Sequence, residues 1–297
     1  MTNAVYPVAV IGVGNMGGAM AARLLSHGWP VRVCDLVRER SQALVVLGAT
    51  AHTAPAEAAR EARLVIVCVV DAQQTRDVLF GAGAVADAMR LGHCVMLCPT
   101  MAPDDVESIA LQLRPFGLHC IDAPMSGGPA RARDGSMSLM VACAPTVFER
   151  HRSLIETLSS SVFRIGERLG DGARTKLVNN LAAGINLVAA AEVLALAGRM
   201  GLDLGATLDV IERSSGQSWI GSDRMRRALA GDFAPRAHMT LLEKDTRLAM
   251  HAAQQLGFQG PLGAAARDAF AQASRAGFAE LDDAALLQWL ASAPPSA

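Results

Sequence analysis

Lysine is almost absent from this 297-residue chain: of its 27 Lys and Arg residues, only Lys176 and Lys244 are lysines. Cations are also not in excess, because 28 Asp and Glu residues balance them. That balance excludes an electrostatic nucleic-acid binder, which needs a strongly basic surface. A bias of the coding DNA toward Arg explains the scarcity of lysine. A remaining lysine then marks a position that needs an amine able to lose its proton.

Metal-ligand patterns and a leader segment are lacking as well. The six cysteines form no Cys-x-x-Cys pair and the seven histidines show no metal-ligand spacing, so we expect no metal site. No basic and apolar leader precedes residue 12, which argues against a signal peptide. The apolar stretch 181–198 contains Asn186, Glu192 and many small residues, so it favours a buried helix over a membrane span. We expect a reduced, cytoplasmic protein with no membrane or nucleic-acid partner.

The order of apolar runs predicts an α/β chain with a Rossmann-type parallel sheet domain followed by an all-helical domain. Short apolar runs alternate with helical segments in the first half, which is typical of βαβ units. The expected strands are 8–11, 31–34, 64–70, 93–98, 118–122, 138–143 and 162–165, and the expected helices are 16–27, 38–47, 74–80, 103–113 and 146–158. Strand-like runs then stop, so we expect a dinucleotide-binding domain over 1–166 and a helical substrate and dimerisation domain over 167–297.

A glycine-rich turn follows the first expected strand directly, with the sequence Gly12-Val13-Gly14-Asn15-Met16-Gly17. The first glycine of such a turn permits the tight bend, the second lets the backbone approach a pyrophosphate, and the third allows close helix–strand packing. The helix that starts there offers free N–H groups and a positive dipole end to phosphates. The pattern predicts a dinucleotide site.

Asp35 ends the second expected strand, where a carboxylate accepts hydrogen bonds from the adenosine ribose hydroxyls. A carboxylate there repels a 2′-phosphate, so we expect NAD as the cofactor. Arg38 and Arg40 follow closely and leave NADP as the alternative.

Three further segments follow the glycine-rich turn along the chain. They are Asp122-Ala123-Pro124-Met125-Ser126-Gly127-Gly128, Gly170-x-Gly172-x-x-x-Lys176-x-x-Asn179-Asn180 and Lys244-Asp245-Thr246-Arg247-Leu248-Ala249. With the turn, they resemble the motifs of the β-hydroxyacid dehydrogenase family, the relatives of 3-hydroxyisobutyrate dehydrogenase, across about residues 8–290.

The resemblance implies a role for each segment. It implies that Lys176 is the catalytic amine, and that the substrate is bound by Ser126, Gly127, Gly128, Asn180 and Trp219, although Trp219 also suits a core or interface position. It places on the cofactor side Gly12, Gly14, Asn15, Met16, Gly17, Asp35, Val69, Val70, Gln74, Thr100 and Lys244. Asp245 either orients Lys244 or caps a helix.

The residue types in these segments suit the oxidation of a hydroxy acid. Lys176 is expected near a helix start, where the positive helix end and partial desolvation both disfavour its ammonium form, so the amine can take a hydroxyl proton. Asn180 lies one helical turn later on the same face and can fix the substrate. The segment from Ser126 to Gly128 offers backbone N–H groups and a hydroxyl to a carboxylate.

The substrate class is drawn from less specific features. Two segments depart from the usual family pattern: Cys68-Val69-Val70-Asp71 replaces a Met-Leu-Pro, and around Thr100 neighbouring serines are lost. The run from Val69 to Thr75 and the region of Ser218 and Trp219 look most like the branch that oxidises four-carbon sugar acids such as L-threonate. The alternatives are a 3-hydroxyisobutyrate dehydrogenase, a reductase of a short semialdehyde (2-hydroxy-3-oxopropionate or succinic semialdehyde), and a non-catalytic NAD(H)-sensing protein. An imine reductase is disfavoured by Lys176.

The helical half also predicts an assembly. Its long apolar helix, about 177–196, is more than one domain of this size can cover, so we expect a homodimer or homotetramer that shares this surface.

Overall fold

A nine-stranded sheet organises the N-terminal part of the computed structural model, which describes residues 5–292. The strands are Val8–Ile11 (β1), Val31–Cys34 (β2), Thr50–Ala51 (β3), Leu64–Val67 (β4), Cys94–Leu97 (β5), His119–Asp122 (β6), Met125–Ser126 (β7), Ser138–Ala142 (β8) and Ser161–Gly166 (β9). Their order is β3-β2-β1-β4-β5-β6-β8-β7, with β9 paired to β8. Strands β1 to β6 pair in parallel with one another, whereas β8 runs antiparallel to β6 and β7 and parallel to β9.

Helices cover both faces of this sheet, which explains why its central strands are apolar throughout. Val8 and Val10 of β1 face one hydrophobic core, while Ala9 and Ile11 face the other. All residues of β1, β4 and β5 are buried. The covering helices are Asn15–Ser26 (α1), Arg38–Val45 (α2), Pro55–Ala59 (α3), Ala72–Phe80 (α4), Val85–Ala88 (α5), Pro103–Leu113 (α6), Gly128–Asp134 (α7) and Pro145–Leu158 (α8).

From Asp171 to Ser292, every named element is helical. These helices are Asp171–Arg199 (α9), Leu204–Glu212 (α10), Trp219–Leu229 (α11), Met239–Gln255 (α12), Pro261–Ala273 (α13) and Leu286–Ser292 (α14), with short 3-10 and π turns between the last two. The chain divides into two compact units, one ending at Lys176 and one beginning at Leu177. A third core, which includes Leu187, Met239 and Phe270, belongs to the second unit.

The predicted fold class is confirmed, and the differences are local. β4 stops at Val67 because Asp71 already caps α4, its carboxylate accepting a hydrogen bond from the Gln74 N–H at 2.9 Å. The two-residue strands β3 and β7 and the short helices α3, α5 and α7 were not predicted.

Helix α9 carries the main surprise of the helical unit. By length and composition it is apolar enough to cross a membrane, yet only 28% of its most apolar stretch is buried within the chain. Val178 is 72% exposed, and Leu196 is 51% exposed. The expectation of a buried helix therefore fails within a single copy of the chain.

Candidate active site

The glycine-rich turn joins β1 to α1, and two of its glycines are required by contacts. Gly12 has φ +84°, and a Cβ there would lie 2.6 Å from the Cys68 carbonyl oxygen. A Cβ on Gly17 would lie 2.0 Å from the Gly12 carbonyl oxygen. These distances leave no room for a side chain. The packing of the turn against α1 and the end of β4 therefore requires glycine at both positions.

Gly14 differs from its neighbours because the space beside it is open. The nearest atom to a Cβ placed there is Arg40 Nη1, at 3.9 Å. Gly14 is also the N-cap of α1, and the first turn of this helix, which contains Asn15 and Met16, has no acidic residue. The turn therefore places open space at the N-terminus of a helix, as the pyrophosphate of a dinucleotide requires.

Asp35 is tied directly to this turn. Its Oδ2 accepts a hydrogen bond from the Val13 N–H at 2.7 Å, and its Oδ1 accepts one from the Val37 N–H at 2.8 Å. Arg40 Nη1 lies 3.6 Å from Asp35 Oδ1, and the Arg40 side chain is 54% exposed. The carboxylate therefore fixes the turn, and an exposed cation lies next to it. The sequence indicates Arg40 only through the alternative that the cofactor is NADP.

The remaining predicted cofactor residues of this unit follow the next parallel strands. Val69 and Val70 come after β4, and the Val70 N–H donates to Gln74 Oε1 at 3.1 Å. Thr100 comes after β5 and is partly buried. Since the carboxyl ends of parallel strands meet at one sheet edge, these residues share that edge with the glycine-rich turn.

Asp122, the last residue of β6, connects two of the sequence motifs. Its Oδ2 accepts hydrogen bonds from the Gly170 and Ala173 N–H groups at 2.9 and 3.0 Å. Burial raises the pKa of the Asp122 carboxyl to about 6, and the backbone hydrogen bonds oppose that shift. The carboxylate thereby holds the start of α9, the helix that carries Lys176. Lys176 is buried, with 7% of its surface exposed.

The predicted substrate turn lies just beyond Asp122. Ser126 ends β7, and Gly127 and Gly128 follow with φ +128° and +77°, conformations that favour glycine. Ser126 is partly buried. One segment of chain thus leads from the anchor of the Lys176 helix to this turn.

In the helical unit, Asn180 and Lys244 meet through Asp245. Asn180 Nδ2 donates to Asp245 Oδ2 at 2.5 Å, and Asn180 Oδ1 accepts from Asn179 Nδ2 at 3.0 Å. Lys244 Nζ lies 3.1 Å from Asp245 Oδ1, outside hydrogen-bond geometry. Asp245 is 5% exposed and lies inside α12, so it caps no helix.

Trp219 lies on another helix of the same unit. It begins α11 and is 49% exposed. A Cβ on Gly221, two residues later, would lie 2.9 Å from Ala190 Cβ of α9. Ala190 lies ten residues after Asn180, or about 15 Å along the helix. In this unit the structure brings Asn180 and Lys244 together through Asp245.

The thiols and potential metal ligands of residues 5–292 lie in no cluster suited to a metal ion. All six cysteines are free, and burial raises the pKa of the Cys68 thiol, beside the glycine-rich turn, to about 12. Within residues 5–292, no group of three or more His, Cys, Asp or Glu side chains could hold a metal ion.

Two family models match the chain in succession. Residues 7–166 match the NAD binding domain of 6-phosphogluconate dehydrogenase, and residues 170–290 match the NAD-binding domain of NADP-dependent 3-hydroxyisobutyrate dehydrogenase.

Curated relatives and solved structures agree with these matches. An L-threonate dehydrogenase of Cupriavidus necator is 37% identical, with 95% of each chain covered. A 3-hydroxyisobutyrate dehydrogenase of Pseudomonas aeruginosa is 33% identical, over 89% of this chain and 90% of the relative. The crystal structure of a 3-hydroxyisobutyrate dehydrogenase from Salmonella typhimurium superposes with a TM-score of 0.91 at 34% identity, covering 96% of this chain and 99% of that one.

Proposed function

The chain belongs to the 3-hydroxyisobutyrate dehydrogenase family, and on that premise we propose that it oxidises a four-carbon sugar acid, L-threonate, with NAD as the cofactor. It is a hydroxyacid dehydrogenase that acts on CH–OH groups with a nicotinamide cofactor. One observation carries the proposal: the strand end that anchors the helix of Lys176 continues into the turn of Ser126 to Gly128. The segment that forms the anion-binding turn therefore also anchors the helix of the proton acceptor.

In the proposed reaction, one residue transfers the proton and others bind the substrate. Lys176 Nζ takes the proton of the substrate hydroxyl, and in the reverse direction returns it to the carbonyl oxygen. The Ser126 hydroxyl and the backbone N–H groups of the turn bind the substrate carboxylate. Asn180, one turn beyond Lys176 on the same helix, holds the hydroxyl or carboxyl group, and Asp245 fixes its amide. NAD, when bound, supplies the hydride acceptor.

The glycine-rich turn and its neighbours hold the cofactor in this proposal. The open space beside Gly14 takes the pyrophosphate, and Asp35 faces the adenosine ribose and disfavours a 2′-phosphate. Arg40 would instead favour NADP, because its guanidinium lies near both residues. Val69, Val70, Gln74, Thr100 and Lys244 complete the cofactor side.

Cofactor choice is tested by comparing Asp35→Ala with Arg40→Ala. Kd values for NAD and NADP are measured by calorimetry in both variants. We expect Asp35→Ala to lose discrimination against NADP, because the repelling charge is gone, and Arg40→Ala to keep or strengthen the NAD preference. An Asp35→Ala protein with an unchanged NAD/NADP ratio contradicts the assignment.

The substrate is tested with a panel assayed by the absorbance of the reduced nicotinamide. L-threonate and its four-carbon stereoisomers are compared with 3-hydroxyisobutyrate, and short semialdehydes are assayed in the reducing direction. We expect the highest kcat/KM for L-threonate. Faster turnover of 3-hydroxyisobutyrate or of a semialdehyde than of L-threonate would contradict L-threonate as the substrate. Cofactor binding without turnover of any of these compounds would favour an NAD(H) sensor.

We also propose a cytoplasmic homodimer or homotetramer with a nucleotide domain over 1–166 and a substrate and dimerisation domain over 167–297. The support is the apolar face of α9, where Val178, Val193 and Leu196 are exposed in one copy. Light scattering of the wild type and of Val193→Glu tests this assembly. A wild-type monomer contradicts it, and dissociation of the variant supports it.

A further inference from the structure

Asp122 lies where two motifs 48 positions apart in the chain meet, at the contact of the β6 end with the start of α9. It is 1% exposed. A helix cap is ordinarily supplied by the residue just before the helix. Here a single carboxylate oxygen, carried by a distant strand, accepts from both Gly170 and Ala173. The first turn of α9 is thus held from outside the helix.

The glycines of the second motif are shaped around this carboxylate. Gly170 has φ +93°, which presents its N–H to Asp122. A Cβ on Gly172 would lie 2.9 Å from both Asp122 Cγ and Oδ2. Gly172 and Lys176 are four residues apart and therefore share one face of the helix. The Lys176 side chain consequently leaves α9 on the face that Asp122 contacts, one turn further along, or about 5 to 6 Å of rise.

Asp122 is the source of negative charge at the start of α9, because the other acidic groups near it are either paired with arginines or neutral. Asp171, in the same first turn, is paired with Arg168 at 2.8 Å and with Arg174 at 3.1 Å. The thiols near Asp122 are kept neutral because burial raises their pKa values; they belong to Cys98, Cys120 and Cys143. A neutral side chain could accept hydrogen bonds from the same N–H groups without the free-energy cost of burying a charge. Helix capping alone therefore does not explain why a carboxylate occupies this position.

We propose that Asp122 is a positioning residue for Lys176, which fixes the first turn of α9 and places a buried negative charge one turn from the amine. The carboxylate offsets the positive end of the helix and increases the proton affinity of the amine. Lys176 then remains a strong enough base to take the substrate proton. The proposal rests on the proposed function of Lys176.

The scarcity of lysine makes a direct test feasible. The full-length protein is prepared with lysine labelled with 13C at Cε, so the side-chain spectrum contains signals from Lys176 and Lys244 alone. Lys244→Arg assigns them. Wild type and Asp122→Asn are titrated by NMR. We expect the Lys176 midpoint to fall by roughly one pH unit in the variant, while the Lys244 signal stays the same in both proteins.

Asp171→Asn is the matched control. It removes a carboxylate from the same helical turn, but one whose charge is already neutralised by Arg168 and Arg174. We expect a clearly smaller shift of the Lys176 signal than in Asp122→Asn. An unchanged Lys176 midpoint in folded Asp122→Asn, or an equal shift in both variants, overturns the proposal. If Asp122→Asn does not fold, Asp122→Ser replaces it, since serine is a good neutral cap. Failure of both to fold assigns Asp122 a purely structural role and also overturns the proposal.

Kinetics separate this proposal from the proposed function. The acidic limb of kcat/KM with L-threonate should move to lower pH in Asp122→Asn, by the same amount as the NMR midpoint, with the NAD Kd unchanged. If the wild type does not turn over any hydroxy acid, the proposed function fails. The NMR titration still decides the relation between Asp122 and Lys176 in that case.

Discussion

Gly14 and Gly17 offer a paired test of the nucleotide turn. Packing within the protein leaves no room for a side chain at Gly17, whereas at Gly14 a side chain would only fill the space proposed for the cofactor. A Cβ on Gly17 would lie 2.0 Å from the Gly12 carbonyl oxygen, where contacts under 3.0 Å essentially never occur. The backbone must move by about 1 Å. Overpacking of this kind costs about 1 to 3 kcal/mol, and a backbone atom as the neighbour puts Gly17→Ala at the upper end.

Gly14→Ala should behave in the opposite way. Its Cβ meets no atom closer than 3.9 Å, and φ is −66°. The weaker N-cap costs about 0.5 to 1 kcal/mol, and the reduced conformational freedom of the unfolded chain returns about 0.4 to 1 kcal/mol. The free energy of unfolding without cofactor should therefore change by less than about 0.5 kcal/mol. NAD should bind at least about tenfold more weakly, because the methyl group occupies the space for the pyrophosphate.

The two substitutions are compared by urea unfolding without cofactor and by calorimetric titration with NAD. We expect Gly17→Ala to lose about 2 to 3 kcal/mol of unfolding free energy, and Gly14→Ala to lose NAD affinity alone. Wild-type NAD affinity in Gly14→Ala refutes the assignment of the open space. Wild-type stability in Gly17→Ala refutes the reasoning from contacts.

Two further predictions concern buried ionisable groups outside the turn. Burial lowers the pKa of His151 from 6.5 to about 4, so the folded protein binds fewer protons than the unfolded chain, and stability on the order of 3 kcal/mol is lost as the pH falls from 6.5 to 4. In His151→Gln this loss should be absent, and equal acid sensitivity of both proteins in urea unfolding speaks against it. Asp282 pairs with the buried Arg227 at 2.8 Å and accepts three backbone N–H bonds, so Asp282→Ala should cost about 3 to 5 kcal/mol. A thermal unfolding midpoint within a degree or so of wild type contradicts that estimate.

The sheet was predictable from the sequence because its central strands are buried on both faces. Residues 8–11, 64–67 and 94–97 are apolar without alternation, and the intervening helices are long enough to show a period. Thr50–Ala51, Pro55–Ala59 and Val85–Ala88 carry no such signal, because two to five residues contain no period. Sheet edges and short connections were accordingly the parts that sequence reasoning left out.

The site was predictable only where its signal is local. The turn from Gly12 to Gly17 is encoded by adjacent residues, so its spacing identifies it. The contacts of Asp122 with the start of α9, and of Asp245 with Asn180, join residues far apart in the chain and leave no spacing to detect. Their only signal was membership of a motif: each is an acid next to residues whose roles had been assigned.

The measurement that tests the account most directly is the turnover of L-threonate by Lys176→Arg. Arginine keeps the positive charge and much of the bulk of lysine but does not give up its proton. We predict a fall in kcat of about 10²- to 10⁴-fold, with NAD still bound at wild-type affinity. A Lys176→Arg enzyme that turns over L-threonate within roughly tenfold of the wild-type rate would contradict the central claim that this amine transfers the substrate proton.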